Sequence, residues 1–195
     1  MVLPIVKYGE PVLRQKGARI EKLTGEVAAL ISDMFETMAE AAGVGLAAQQ
    51  VGHALQLMVL DVRGASKERP SKLWLDEQES DVAAFMPLAL INPEITPVGA
   101  YVVGPEGCLS FPEVYGDIDR PEAVEVRGLN QNFEPVQFRC AGLLARAIQH
   151  ENDHLQGILF IDRMDRKTKL ELKPEIDLIQ AETKALLKKK KSVRS

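Results

Sequence analysis

The sequence predicts an α+β fold, not a regular βαβ alternation. Three observations carry this expectation. Residues 25–43, GEVAALISDMFETMAEAAG, place Val27, Leu30, Ile31, Met34, Phe35 and Met38 at the spacing of one helical face. Residues 123–129 (AVEVRGL) and 135–140 (PVQFRC) read as strands flanking NQNFE, the pattern of a β-hairpin. Residues 146–160, RAIQHENDHLQGILF, then carry helical spacing, so that short strands surround a central helix.

In chain order, MVLPIVKYG lacks the charged and apolar regions of a signal peptide. The first helix is expected to close at Gly43. LQLMVLDV (55–62) and LALINP (88–93) are strand-like and bounded by turn residues. The polar stretch between them, 63–81, reads as a long surface insertion. Beyond residue 165 the chain is charged and helix-prone, and KKKKSVRS is expected to fray. With 195 residues, 46% of them apolar, the chain suits one domain with a proper core and a short appendage. A net charge of −4 speaks against bulk nucleic-acid binding. Two unpaired-looking cysteines point to a reducing compartment, and no apolar run has membrane-spanning length. The expectation is a soluble, cytoplasmic protein.

Two of the three histidines fall in one pentad, His150-Glu151-Asn152-Asp153-His154. On a helix, positions i and i+4 share a face, so both imidazoles could grip one metal ion. Glu151, beside the first, could reach a water there as general base, which is the H-E-x-x-H pattern. Gly157 is a natural stop for this helix. The bland alternative is an amphipathic helix with two incidental histidines.

A catalytic metal usually takes three protein ligands. The third histidine, His53, reads as part of a polar turn. Cys140 would be roughly 15 Å from His150 if the helix reached back to it, and reads as a small buried residue. Cys108 sits in GPEGCLSFP, a segment that can hold unusual backbone angles and bring main chain close to a ligand. Spacing alone leaves it open whether Cys108 is a ligand or an ordinary loop cysteine.

A second glycine-rich stretch, GVGLAAQQ (43–50), lacks the third glycine of a dinucleotide fingerprint and the Gly-Lys-Ser/Thr of a phosphate loop. Tight packing at a helix end explains its glycines but does not call for Gln49 and Gln50. A side-chain amide near a metal could donate to a developing oxyanion.

Taken in order, GVGLAAQQ, EGCLS (106–110) and QHENDHLQG (149–157) resemble the three signature motifs of the peptide deformylases, over roughly residues 3–165. The resemblance implies an α+β fold of mixed and antiparallel β-sheets around a central metal-binding helix. It implies a catalytic domain over 1–165, followed by a charged C-terminal helix and basic tail over 166–195. It makes Cys108, His150 and His154 the metal ligands and Glu151 the general acid/base. Gln50, rather than Gln49, and the Leu109 N–H become the oxyanion donors. Val44, Gly45 and Gly107 match positions that pair main chain with substrate, and Val44, Leu143 and Ala147 are expected around the methionine side chain. Glu106 and Arg120 match a structural ion pair. Two departures stand out: the insertion at 63–81 is longer, and Arg146 occupies a pocket position expected to be apolar.

The implied activity is removal of the formyl group from N-terminal formylmethionine, with release of formate. The implied cofactor is one divalent ion, Fe(II) in vivo, with Zn, Ni or Co as alternatives. The expected partners are N-formylmethionyl nascent peptides and, through the basic tail (Lys188–Lys191 and Arg194), the ribosome; a monomer without membrane contact is expected. The rival readings are a metallopeptidase and a peptide- or ribosome-binding module without catalysis.

Overall fold

The structure, a computed structural model, describes residues 1–192, with side chains through residue 189. Helix α1 (Gly25–Glu40) begins where Thr24 Oγ1 accepts the Val27 N–H at 3.2 Å, a standard N-cap. Leu30, Ile31, Met34 and Met38 are buried, as the helical spacing predicts. The helix stops three residues short of Gly43. Ala42 takes the left-handed conformation (φ 51°), and the Gly43 N–H returns to the Met38 carbonyl at 2.9 Å. This early turn frees the chain to enter strand β1 (Gly45–Ala47).

Strand β2 (Leu57–Leu60) is apolar at every position because both of its faces are buried. The stretch 63–81 is not a surface loop. It forms the hairpin β3 (Ser71–Leu75) and β4 (Gln78–Ser80), turned by Asp76 and Glu77 at φ 47° and 64°. Two successive positive-φ residues suit a tight two-residue hairpin turn. The hairpin pairs with a sheet edge, and its Leu73 is fully buried. The local polarity hid a single alternating apolar position.

After a single helical turn, α2 (Val82–Phe85), come β5 (Leu88–Cys108), β6 (Phe111–Leu129) and β7 (Pro135–Gly142). The expected strand at 88–93 is only the beginning of β5, which continues into the cysteine motif. The β6–β7 hairpin lies where it was predicted, with Asn130 Oδ1 accepting the N–H groups of Asn132 and Glu134. All seven strands form one antiparallel sheet in the order β1-β2-β5-β6-β7-β3-β4. Register shifts near Ile91, Val98 and Gly107 interrupt the long β5–β6 ladder, and irregularities of this kind bend a strand.

Helix α3 (Leu143–Leu155) packs against this sheet in a core that includes Met58, Leu60, Leu73 and Val126. Leu57 and Val59, of opposite parity on β2, pack with α1. The remaining helices are α4 (Phe160–Arg163), α5 (Arg166–Glu171) and α6 (Lys173–Ser192). Ile176 of α6 joins a third cluster with Leu13, Phe111 and Phe160. The frayed end expected from residue 188 is helical through Ser192; residues 193–195 and the side chains of Lys190, Lys191 and Arg194 lie outside the described residues. Among the described residues, no helix is long and apolar enough to cross a membrane.

If the β3–β4 hairpin belongs to the core, Leu73→Ala should destabilise the metal-loaded protein by about 2–5 kcal/mol in urea unfolding. A change within about 0.5 kcal/mol, as surface sites usually give, would make the hairpin an appendage.

Candidate metal centre

Helix α3 follows β7 directly. The inserted hairpin secures its start: Ser71 Oγ accepts the Leu144 N–H at 2.9 Å. Gly157 ends it at φ 72°, its N–H returning to the His154 carbonyl at 3.0 Å, the stop its position suggested. Between these ends, His150 and His154 project from one face with ring centroids 5.2 Å apart. Cys108 stands at the last position of β5, at the β5–β6 turn, and not in an open loop. Its Sγ lies 3.3 Å from His154 Nε2. One ligand atom from each of Cys108, His150 and His154 lies within 4.8 Å of the others. His53 is exposed on a turn, and Cys140 is buried in β7, where burial pushes its thiol up; neither joins the cluster.

This donor set fits a divalent cation. Burial, with His150 adding to it, holds the His154 imidazole well below its ordinary value, and the neutral form is the one that ligates. Burial also opposes charge on His150, but the Cys108 sulfur and the Glu106 carboxylate outweigh it and raise that imidazole. Cys108 and Glu106 therefore make the spot favourable for positive charge. One sulfur and two imidazoles suit Zn or Fe(II) better than Mg or Ca.

Glu151 is 4% exposed, and burial raises its carboxyl to about 7. Its Oε2 has no hydrogen-bond partner among the described residues. Gly45 permits its approach, because a Cβ at that position would stand 2.6 Å from Glu151 Oε1. Gln50 Oε1 accepts the Ala47 N–H at 2.8 Å, which turns the amide nitrogen toward Cys108 Sγ at 3.5 Å. Gln49 points elsewhere, toward the Gln15 carbonyl. A cavity of about 540 Å³ is lined by Val44, Gly45, Gln50, Gly107, Cys108, Leu109, Leu143, Ala147, His150 and Glu151. Of the ligand, catalytic and substrate-contact residues that the resemblance names, only His154 is absent from that wall.

The surrounding charges are organised by Glu106. It accepts from Arg120 at 2.6 and 2.9 Å, from Arg146 at 2.9 Å, and faces His150 Nδ1 at 2.9 Å. Although burial opposes it, His150 and Arg120 hold this carboxyl far below the usual carboxylate range. Arg120 also reaches Asp153 at 2.9 Å, and Arg163 binds Asp153 at 2.7 Å. Arg146 folds over Gly104, where a Cβ would meet its Nη2 at 3.1 Å. It donates to the carbonyls of Val102 at 2.6 Å and Ile118 at 2.9 Å. The position expected to be apolar thus braces β5 and β6 while still lining the cavity.

Sequence reasoning missed Lys7 and Arg69 on the cavity wall. Lys7 Nζ donates to the Leu109 carbonyl at 2.7 Å across 102 positions of chain, a separation no local pattern reveals. Arg69 comes from the stretch read as a surface insertion.

The sequence profile of the family described as "Polypeptide deformylase" matches residues 2–170. A peptide deformylase of Opitutus terrae is 44% identical over 191 residues, covering 96% of this chain and 98% of its own. One from Methylacidiphilum infernorum is 43% identical, covering 92% and 94%. Among solved structures, a Synechococcus elongatus peptide deformylase in complex with actinonin aligns with TM-score 0.74 at 40% identity, covering 91% of this chain and 85% of that one. A Legionella pneumophila peptide deformylase aligns with TM-score 0.76 at 31% identity, covering 93% and 96%.

Cys108→Ser should lower bound metal, measured by elemental analysis, while Cys140→Ser should retain it. Equal metal content in the two variants would remove Cys108 from the ligand set.

Proposed function

The chain belongs to the peptide deformylase family, metal-dependent hydrolases that remove the formyl group from N-terminal formylmethionine of new proteins, and from that premise we propose how its own residues divide the work. One observation carries the assignment. Cys108, His150 and His154 converge beside a buried Glu151 whose Oε2 has no partner among the described residues, and Glu151 faces the same cavity as Gln50 and Leu109.

Cys108, His150 and His154 hold one divalent ion, Fe(II) in the cell, with Zn, Ni or Co able to occupy the same donors. When bound, such an ion supplies Lewis acidity and makes water a better nucleophile near neutral pH. Glu151 takes the proton from the attacking water and later delivers it to the departing amine nitrogen, which frees formate. A carboxyl raised by burial suits both steps, because it holds and releases a proton near neutrality. The negative oxygen that develops on the formyl carbon receives hydrogen bonds from the Gln50 amide and the Leu109 N–H. Loss of one such donor typically costs about 2.7–4 kcal/mol of barrier lowering. The backbones of Val44, Gly45 and Gly107 pair with the peptide, and Val44, Leu143 and Ala147 enclose the methionine side chain. Selection by these apolar contacts is modest, about 1–3 kcal/mol per methylene.

We place the catalytic unit at residues 1–165, with 166–195 as a helical extension, in a monomer working in the cytoplasm. Sedimentation equilibrium and cell fractionation check the last two points. Formate release from a formylmethionyl peptide, compared among Fe(II), Ni(II), Co(II) and Zn(II) preparations made without oxygen, tests the reaction and the metal together. Cleavage of an unformylated methionyl peptide instead would favour a metallopeptidase.

Glu151→Gln keeps the shape and removes the base. It should retain metal and lose about 10²–10⁴-fold in turnover; near-normal activity would dismiss Glu151. For the basic end, we propose contact with ribosomal RNA, driven by counterion release and weakening steeply with salt. Deletion of residues 188–195 should leave turnover of a short formyl-peptide unchanged and weaken co-sedimentation with ribosomes at low salt. Equal co-sedimentation across a salt series would remove the tail from binding.

A further inference from the structure

A second cavity, of about 570 Å³, adjoins the first, and Gln50, Cys108, Leu109, His150 and Glu151 do not line it. Arg69, Leu143 and Arg146 line both. Its floor is the sheet face where the inserted hairpin joins β7, with Lys72 and Trp74 of β3 standing opposite Ala141 and Arg139 of β7. The Arg139 guanidinium lies over the Trp74 ring, 5.3 Å from its centroid. Arg69, Lys72 and Arg139 are exposed, and none has an ion-pair partner among the described residues. Such a concentration of free cations is notable on a chain of net charge −4.

Among the described residues, the nearby acids form no ion pair with these cations. Glu122 lines the cavity, but its Oε1 accepts the Ala100 N–H at 3.4 Å. Glu79 and Glu125 sit across from Trp74 and Arg139 on the neighbouring strands, outside the cavity wall and in no ion pair among the described residues.

We propose that this second cavity is an exosite for acidic side chains of the substrate polypeptide, downstream of its formylmethionine. The inference rests on the deformylase reading. It follows from the shared wall: a polypeptide held by its N-terminus must leave the catalytic cavity, and Arg69 stands where the two cavities meet. Arg69 spends one Nη2 contact on the Pro105 carbonyl, at 3.3 Å. The rest of its planar fork remains available, and such a fork matches a carboxylate. Lys72 adds a point charge, and the Trp74–Arg139 pair offers a flat surface for the methylenes of a glutamate. The shared wall favours a polypeptide over RNA phosphate, which has no reason to approach through the catalytic cavity.

The test uses metal-loaded enzyme and formylmethionyl peptides in which one glutamate, or one glutamine, is walked through the following positions. At low ionic strength, glutamate should raise kcat/KM over glutamine by about threefold to tenfold at one or more positions, an advantage that salt removes. Lys72→Glu should abolish or invert that ratio, and Arg139→Gln should reduce it. Neither substitution should change turnover of the all-neutral peptide, which also reports correct folding. If the wild-type enzyme fails to deformylate the neutral peptide, the proposed function falls first. If that peptide turns over but the ratio is one at every position, or survives both substitutions, the exosite is overturned. A ratio of one together with weaker ribosome binding by Lys72→Glu would overturn it in favour of RNA.

Discussion

Glu106 is a carboxylate only 6% exposed, and three basic groups converge on it: Arg120, Arg146 and His150. The rest of the site depends on this junction. It ties β5 to β6 through Arg120 and to α3 through Arg146 and His150. The cysteine two residues further along β5 therefore stands at a fixed distance from the helix that carries both histidines. Burying ions costs several kcal/mol each before their attraction repays it, so such a network is weak evidence for stability. Its clearer effect is on position. The contact with His150 Nδ1 orients one imidazole of the candidate metal centre, as outer partners of metal-binding histidines commonly do.

The long β5–β6 hairpin and α3 divide the labour. The hairpin brings Gly107, Cys108 and Leu109 to its turn, while the helix supplies His150, Glu151 and His154 from one buried face. Strand β1 closes the third side. Its Gly45 has no side chain because Glu151 occupies that space, and Gln50, just beyond it, is locked by the Ala47 N–H. Every group given a chemical role is thus held by a strand, a helix or a hydrogen bond between elements. Rigid support of this kind is what a reaction dependent on alignment requires.

Charge is distributed unevenly on this acidic chain. The inserted segment covers part of the core with Leu73, caps α3 with Ser71, and presents Arg69, Lys72 and Trp74 to the cavity that adjoins the candidate site. One segment therefore has a structural face and a solvent face. The strand period of two is what allows Leu73 to point inward while Lys72 and Trp74 point outward.

Much of the candidate site's geometry was legible in the sequence because its signals are local. The i, i+4 histidines, the adjacent glutamate and Gly157 follow from helix geometry alone, and the burial of Leu30, Ile31, Met34 and Met38 follows from the same period. Three ordered motifs tied Cys108 and Gln50 to that helix, although spacing by itself could not choose Cys108. The tertiary structure decided the rest. Whether Cys108 meets the histidines depends on a hairpin that bends and pairs across many residues, and Cys140 has the same chemistry in the wrong place. Lys7 reaches the cavity wall across 102 positions, a contact that only chain folding creates. The polar stretch at 63–81 looked like a loop because a sheet-edge hairpin needs only one buried side chain to dock. Arg146 read as misplaced because sequence shows the charge of a side chain but not the carbonyls and the buried carboxylate that receive it.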